Sequence, residues 1–192
     1  MKILIIDPER EVSHRISKDT SGGYGTGNDF GDTIVPTFLK KTLKVVHGWA
    51  PMFAVYTIAV LKKNGHDVHY SKILPNDLDL FDLYIVVSSI VCCETECANI
   101  KNIVQLNKKV LVIGPFATSN PKKYIDAGGT VILGEPEFFF MKNKDLSEIE
   151  NNKIISFQHD FILDDLPYPD WESVSKNTNA SSLFGGGKSL PI

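Results

Sequence analysis

Three cysteines fall close together, as C-C-E-T-E-C from Cys92 to Cys97. Cys93 and Cys97 have the C-x3-C spacing that opens one type of iron–sulfur motif, in which thiolates hold iron. That motif needs a third cysteine three residues on, where Ile100 stands. Partly buried packing cysteines are the simpler reading. "GGGKS" (Gly185–Ser189) resembles a phosphate-binding loop, but Ser182 occupies the position of its first glycine and Pro191 follows almost at once. Such a loop needs a strand before it and a helix after it, so a flexible tail is the simpler reading. "GYGTGNDFG", with Gly23, Tyr24 and Gly25, lies about fifteen residues past the first strand, too far for a dinucleotide fingerprint. A glycine-rich loop lying over a ligand stands there beside plain disorder. Of the histidines, His66 and His69 read as structural or exposed, His14 is undetermined, and His47 precedes a helix on the prospective ligand face. Glu135 and Glu137 open a helix, where acids are favoured electrostatically. No triad or carboxylate pair follows from spacing.

Bulk properties narrow the classes. The chain has 192 residues, 43% of them hydrophobic, enough for one domain with a sizeable core plus a tail. A net charge of −3 with mixed signs does not suggest a nucleic-acid partner. No apolar run reaches the ~20 residues that span a bilayer, and "KILIID" after Met1 is too short for a signal-peptide core. Three clustered cysteines are not a secreted disulfide framework, so a cytoplasmic protein with reduced thiols is expected.

The elements that must position any site can be read from periodicity. "KILIID" (Lys2–Asp7), "DVHYS", "LYIVVSS" (Leu83–Ser89), "KVLVIG" and "TVIL" are predicted strands. The first is followed by a long irregular segment reaching about residue 50. Predicted helices cover "PMFAVYTIAVLKKNG", begun by Pro51 and capped by Gly65, and "ETECANIKNIVQLNK", with Ile100, Ile103, Val104 and Leu106 inward. Two short ones cover "NPKKYIDAGG" and "EPEFFFMKN". Strands alternating with helices imply a doubly wound, five-stranded parallel α/β sheet, Rossmann- or flavodoxin-like, in the order 2-1-3-4-5. Ligands of such sheets bind beyond the carboxyl ends of the strands: at Asp7–Pro8, at Ser88, Ser89 and Ile90, at Gly114, Pro115 and Phe116, and at Gly134, Glu135 and Pro136. A phosphoreceiver domain shares the order, but Ser88–Ser89 and Gly134–Glu135 stand where its aspartate and lysine belong.

The order of these pieces adds a more specific signal. A first strand with a long loop, a helix ending "LKKNGHDV", then "VVSSI", "VLVIGPFATSNP" and "VILGEPEFFF" follow one another. Over about residues 1–141 the chain resembles the N-terminal cobalamin-binding domain of cobalamin-dependent radical SAM enzymes. "ILDDLPYPDW" and the rest of 142–192 look like the linker toward their radical SAM barrel. The resemblance implies a corrinoid cradled at the strand ends. Ser88 and Ser89 would bond its tail, with Gly114, Pro115, Phe116 and Ala117 lining its slot. Ile90, Gly134, Glu135, Glu137 and the Gly23–Gly25 loop would lie beside it. Ile113, Phe116 and Pro136 depart from the family pattern, which often has glycine, histidine and glycine there. The D-x-H-x-x-G motif is absent after Asp7, so cobalt would have no histidine ligand from it. The iron–sulfur cluster and S-adenosylmethionine are expected only in a missing C-terminal part or a separate barrel chain. Two other readings share this face: a flavodoxin-like binding or interaction module without cobalamin, and a small α/β enzyme such as a nucleotide-sugar transferase.

Overall fold

A computed structural model describes residues 1–8, 33–35, 52–157, 162–174, 181–182 and 185–188. Its centre is a parallel sheet of β1 (Lys2–Ile6), β2 (Asp67–Ser71), β3 (Leu83–Val87), β4 (Lys109–Ile113), β5 (Thr130–Ile132) and β6 (Ile154–Ile155). The order is β2-β1-β3-β4-β5-β6, so the expected five-strand order is present with a sixth strand added at the β5 edge. β6 lies in the short strand-like run that opens "KIISFQHDF", but with two residues and Ile154 54% exposed it is too brief to be counted from sequence as a strand of the sheet.

The strands are apolar on both faces because helices cover both. Ile3, Ile5, Leu83, Ile85 and Val87 pack with α1 (Met52–Lys63) and α5 (Pro136–Lys142). The alternate residues Leu4, Ile6, Tyr84, Val86 and Val112 pack with α2 (Cys93–Gln105) and α4 (Pro121–Asp126). Each one-residue step along a strand switches face, so register here also decides which helix a side chain meets. α2 ends at Gln105, and Asn107 takes a left-handed φ of 57°. Leu106 therefore falls off the inward stripe and is 51% exposed, contrary to the sequence expectation.

Described residues between 146 and 174 join the α1 face. Leu146 and Val174 are fully buried in that core, and Trp171 and Leu166 pack against it. Lys62 holds Asp170 at 2.7 Å and donates to Ser173 Oγ at 2.6 Å, while the Asp170 N–H donates to the Val55 carbonyl at 3.2 Å. Burial alone would raise the Asp170 pKa, but the bonds from Lys62 and Ser173 outweigh it and hold the carboxyl below its usual range. β7 (Ser181–Ser182) and β8 (Gly185–Lys188) form an antiparallel hairpin. "GGGK" is thus the second strand of an antiparallel pair.

The β5-to-β6 connection passes through α5, Leu146 and Ile149, all on the α1 face. It crosses the same face as β1-α1-β2 but moves the other way along the sheet, so its hand is opposite. The crossovers through α2 and α4 use the other face and share the hand of β1-α1-β2. Right-handed crossovers make up about 98% of such units, which singles out β6 as an irregular addition.

Gly129, between α4 and β5, sits against both β4 and α2. A Cβ there would lie 2.9 Å from Val112 Cγ2 and 3.4 Å from Ile100 Cγ2. Val112 and Ile100 are fully buried and cannot swing away. Gly129→Ala is expected to destabilise the fold by about 1–3 kcal/mol, seen as a lower urea midpoint at unchanged slope.

Candidate functional site

Parallel strands place all their carboxyl ends on one edge, and there the predicted loops do come together. Gly114 and Gly134 adopt φ of 107° and 83°, conformations that glycine reaches without strain. Each turns the chain sharply into a proline-led helix, α3 (Pro115–Ser119) after Gly114 and α5 after Gly134–Glu135. α3 has no counterpart among the predicted elements, because five residues after a glycine read as loop. Thr118 ties the two turns, donating to the Gly114 carbonyl at 3.1 Å and accepting from the Gly134 N–H at 3.1 Å.

The two serines lie below this edge. Ser88 is fully buried; its hydroxyl oxygen accepts the Ala117 N–H at 2.9 Å, and its own N–H donates to the Ile113 carbonyl at 2.8 Å. Ser89, also fully buried, donates its N–H to Glu96 Oε2 at 3.1 Å and its hydroxyl to Glu96 Oε1 at 2.8 Å, while its oxygen accepts the Cys92 N–H at 3.1 Å. Tyr124 donates its hydroxyl to Glu96 Oε2 at 2.6 Å. Burial, reinforced by the Glu96 carboxylate, pushes the Tyr124 phenol far above its ordinary range. Glu96 is fully buried and was not among the sequence candidates. Its signal was available, since 96, 100 and 103 share one helical face, leaving a carboxylate on an apolar stripe.

The outer rim is different. Ile90 is 53% exposed, and Pro115 and Glu135 are exposed. Phe116 is half-buried, edge-to-face on Tyr124 with ring centroids 6.2 Å apart, and Lys123 Nζ lies 5.7 Å from its ring centre. Ala117 is fully buried in the core cluster that Phe116 packs against, whereas Ile113 is buried on the opposite, α1 face of the sheet. Asp7, at the end of β1, is 4% exposed and accepts the Tyr70 hydroxyl at 2.5 Å.

A cleft opens at the β5 end of this edge, between α1, the start of α5 and the strap of residues 162–168. Two adjoining cavities of 410 Å³ and 610 Å³ share Tyr56, Leu163 and Leu166. The first is completed by Met52, Glu135, Glu137 and Phe138, the second by Asp164, Pro167 and Tyr168. Glu137 is 4% exposed. Burial pushes its carboxyl up to about 8, with the Glu135 charge adding to the effect and a bond from its own backbone N–H opposing it.

The remaining candidates are accounted for as follows. His66 Nε2 lies 3.0 Å from the Lys144 carbonyl, and His69 packs on Phe81 beside Asp67, both structural settings. Cys92 and Cys93 are buried, and burial followed by the neighbouring Cys93 pushes the Cys97 thiol up to about 12. Among the described residues no cluster of three or more His, Cys, Asp or Glu side chains suits a metal ion. None of their helices is long and apolar enough to cross a membrane. Gly23, Tyr24, Gly25, His14 and His47 lie outside the described residues. No protein-family model matches the chain, and neither a curated protein nor a solved structure matches it significantly.

Proposed function

We infer that the chain is a cobalamin-binding-type domain of a B12-dependent radical SAM protein, working with a barrel that lies in a further part of the protein or in a partner chain. The observation that carries this reading is the convergence of Ser88–Ile90, Gly114–Ala117 and Gly134–Glu137 on one edge of a 2-1-3-4-5 sheet. Both glycine turns bend the chain sharply there, and Ile90 and Pro115 are exposed apolar side chains of the same edge. Exposed apolar groups of this kind suit the flat face of a macrocycle. Bound cobalamin supplies a cobalt centre for methyl transfer or radical chemistry. This chain's part is to seat the ring and exclude water beneath it. A cytoplasmic setting fits the same reading.

The fit is partial. The groups expected to bond the nucleotide tail are taken up within the protein itself: Ser88 is bound to the Ala117 backbone and Ser89 to Glu96, the side chains of Ser88, Ser89 and Glu96 being buried. Those internal bonds favour a second reading, a flavodoxin-like binding or interaction module that no longer holds the cofactor. Gel filtration after mixing with hydroxocobalamin separates the two. On the first reading the corrinoid spectrum co-elutes with the protein. A colourless protein peak overturns that reading in favour of the second.

A further inference from the structure

We propose that the cleft between α1, α5 and the 162–168 strap binds a small amphipathic cation, a primary ammonium on an aromatic or alkyl body. Its walls are built rather than accidental. α1 and α5 pack together through Ala54, Val55, Phe139 and Phe140. Leu166 of the strap packs against the same core, and just past the strap Asp170 is held to α1 by Lys62 and by the Val55 carbonyl. The adjoining volumes of 410 Å³ and 610 Å³ lie in the range of small-molecule sites, about 300–1,000 Å³.

Chemistry selects the occupant. The charged side chains on the described lining are all acidic: Glu135 and Glu137 from α5 and its cap, Asp164 from the strap. α1 contributes Met52 and Tyr56, and the strap adds Leu163 and Leu166. An apolar body would lie against Tyr56 and Phe138, whose ring faces also attract a cation. Its ammonium would meet Glu137, the buried carboxyl of the set. Empty, that carboxyl is held protonated at neutral pH by burial. A cation beside it favours the ionised form, so binding releases the Glu137 proton. The inference does not depend on cobalamin.

The test uses the full chain and three probes of similar shape: 2-phenylethylammonium, 2-phenylethanol and 3-phenylpropanoate. Calorimetry at neutral pH, in buffers of different ionisation heat, reads affinity and proton release together. The ammonium is expected to bind at least tenfold more tightly than the alcohol, the anion least, with up to about one proton released. Glu137→Gln replaces the protonated carboxyl with a similar shape, and its far-ultraviolet spectrum checks that the fold persists. It is expected to abolish proton release and to reduce the preference for ammonium over alcohol to within about threefold. The proposal is overturned if no probe binds, if alcohol and ammonium bind equally, or if proton release survives in the folded variant. Failure of hydroxocobalamin to bind leaves these results untouched.

Discussion

Replacing Glu137 by glutamine is expected to raise stability at pH 8.5 by about 3–5 kcal/mol while changing it little at pH 4.5. The carboxyl is 4% exposed, and its proton is held up to about 8 against an ordinary value of 4.5. Below 4.5 both the folded and unfolded chains keep the proton, and the group contributes no pH dependence. Between 4.5 and about 8 the unfolded chain releases it and the folded chain does not. Stability from this group therefore falls as pH rises through that window, then levels off. Glutamine cannot ionise and removes the slope, whereas the other titrating groups act equally on both proteins. Urea unfolding of the two proteins at several pH values gives the comparison. Parallel stability curves would show that the folded protein ionises Glu137 freely.

Glu96→Ala is expected to cost about 3–5 kcal/mol, and Tyr124→Phe only about 1–2 kcal/mol. The asymmetry follows from who is left without a partner. Removing the carboxylate strands the Ser89 N–H, the Ser89 hydroxyl and the Tyr124 hydroxyl, all of which donate to it. Removing the phenol withdraws one donor, and the two Ser89 bonds remain on Glu96. Urea midpoints at constant slope measure both changes. A Glu96→Ala protein within about 1 kcal/mol of the parent would mean that water re-enters and satisfies these donors.

The central strands were legible because "KILII" and "LYIVV" can only be so continuously apolar if both faces are covered. The strand-end loops were legible too, since Gly114–Pro115 and Gly134–Glu135–Pro136 interrupt such runs abruptly. Their depth was not. Ser88 and Ser89 read as polar groups offered to a ligand, yet their partners Ala117 and Glu96 stand on other elements, and nothing local announces the pairing. The cleft was hidden for the same reason: Tyr56, Glu137 and Leu166 meet only through tertiary packing. In isolation, 162–168 reads as a connecting segment, and Leu106 reads as inward until the helix is known to stop at Gln105.

The oppositely handed β6 has a bearing on how the molecule comes apart. It is tied to β5 through the Val131 N–H to the Lys153 carbonyl and the Leu133 N–H to the Ile155 carbonyl. Only two residues long and with one half-exposed isoleucine, this edge is expected to peel open in a sub-global fluctuation while β1, β3 and β4 stay closed. The same peeling would bare a row of β5 amides that another extended chain could pair with. β6 is in that sense a cover strip, and its small size sets how often the sheet presents an adhesive edge.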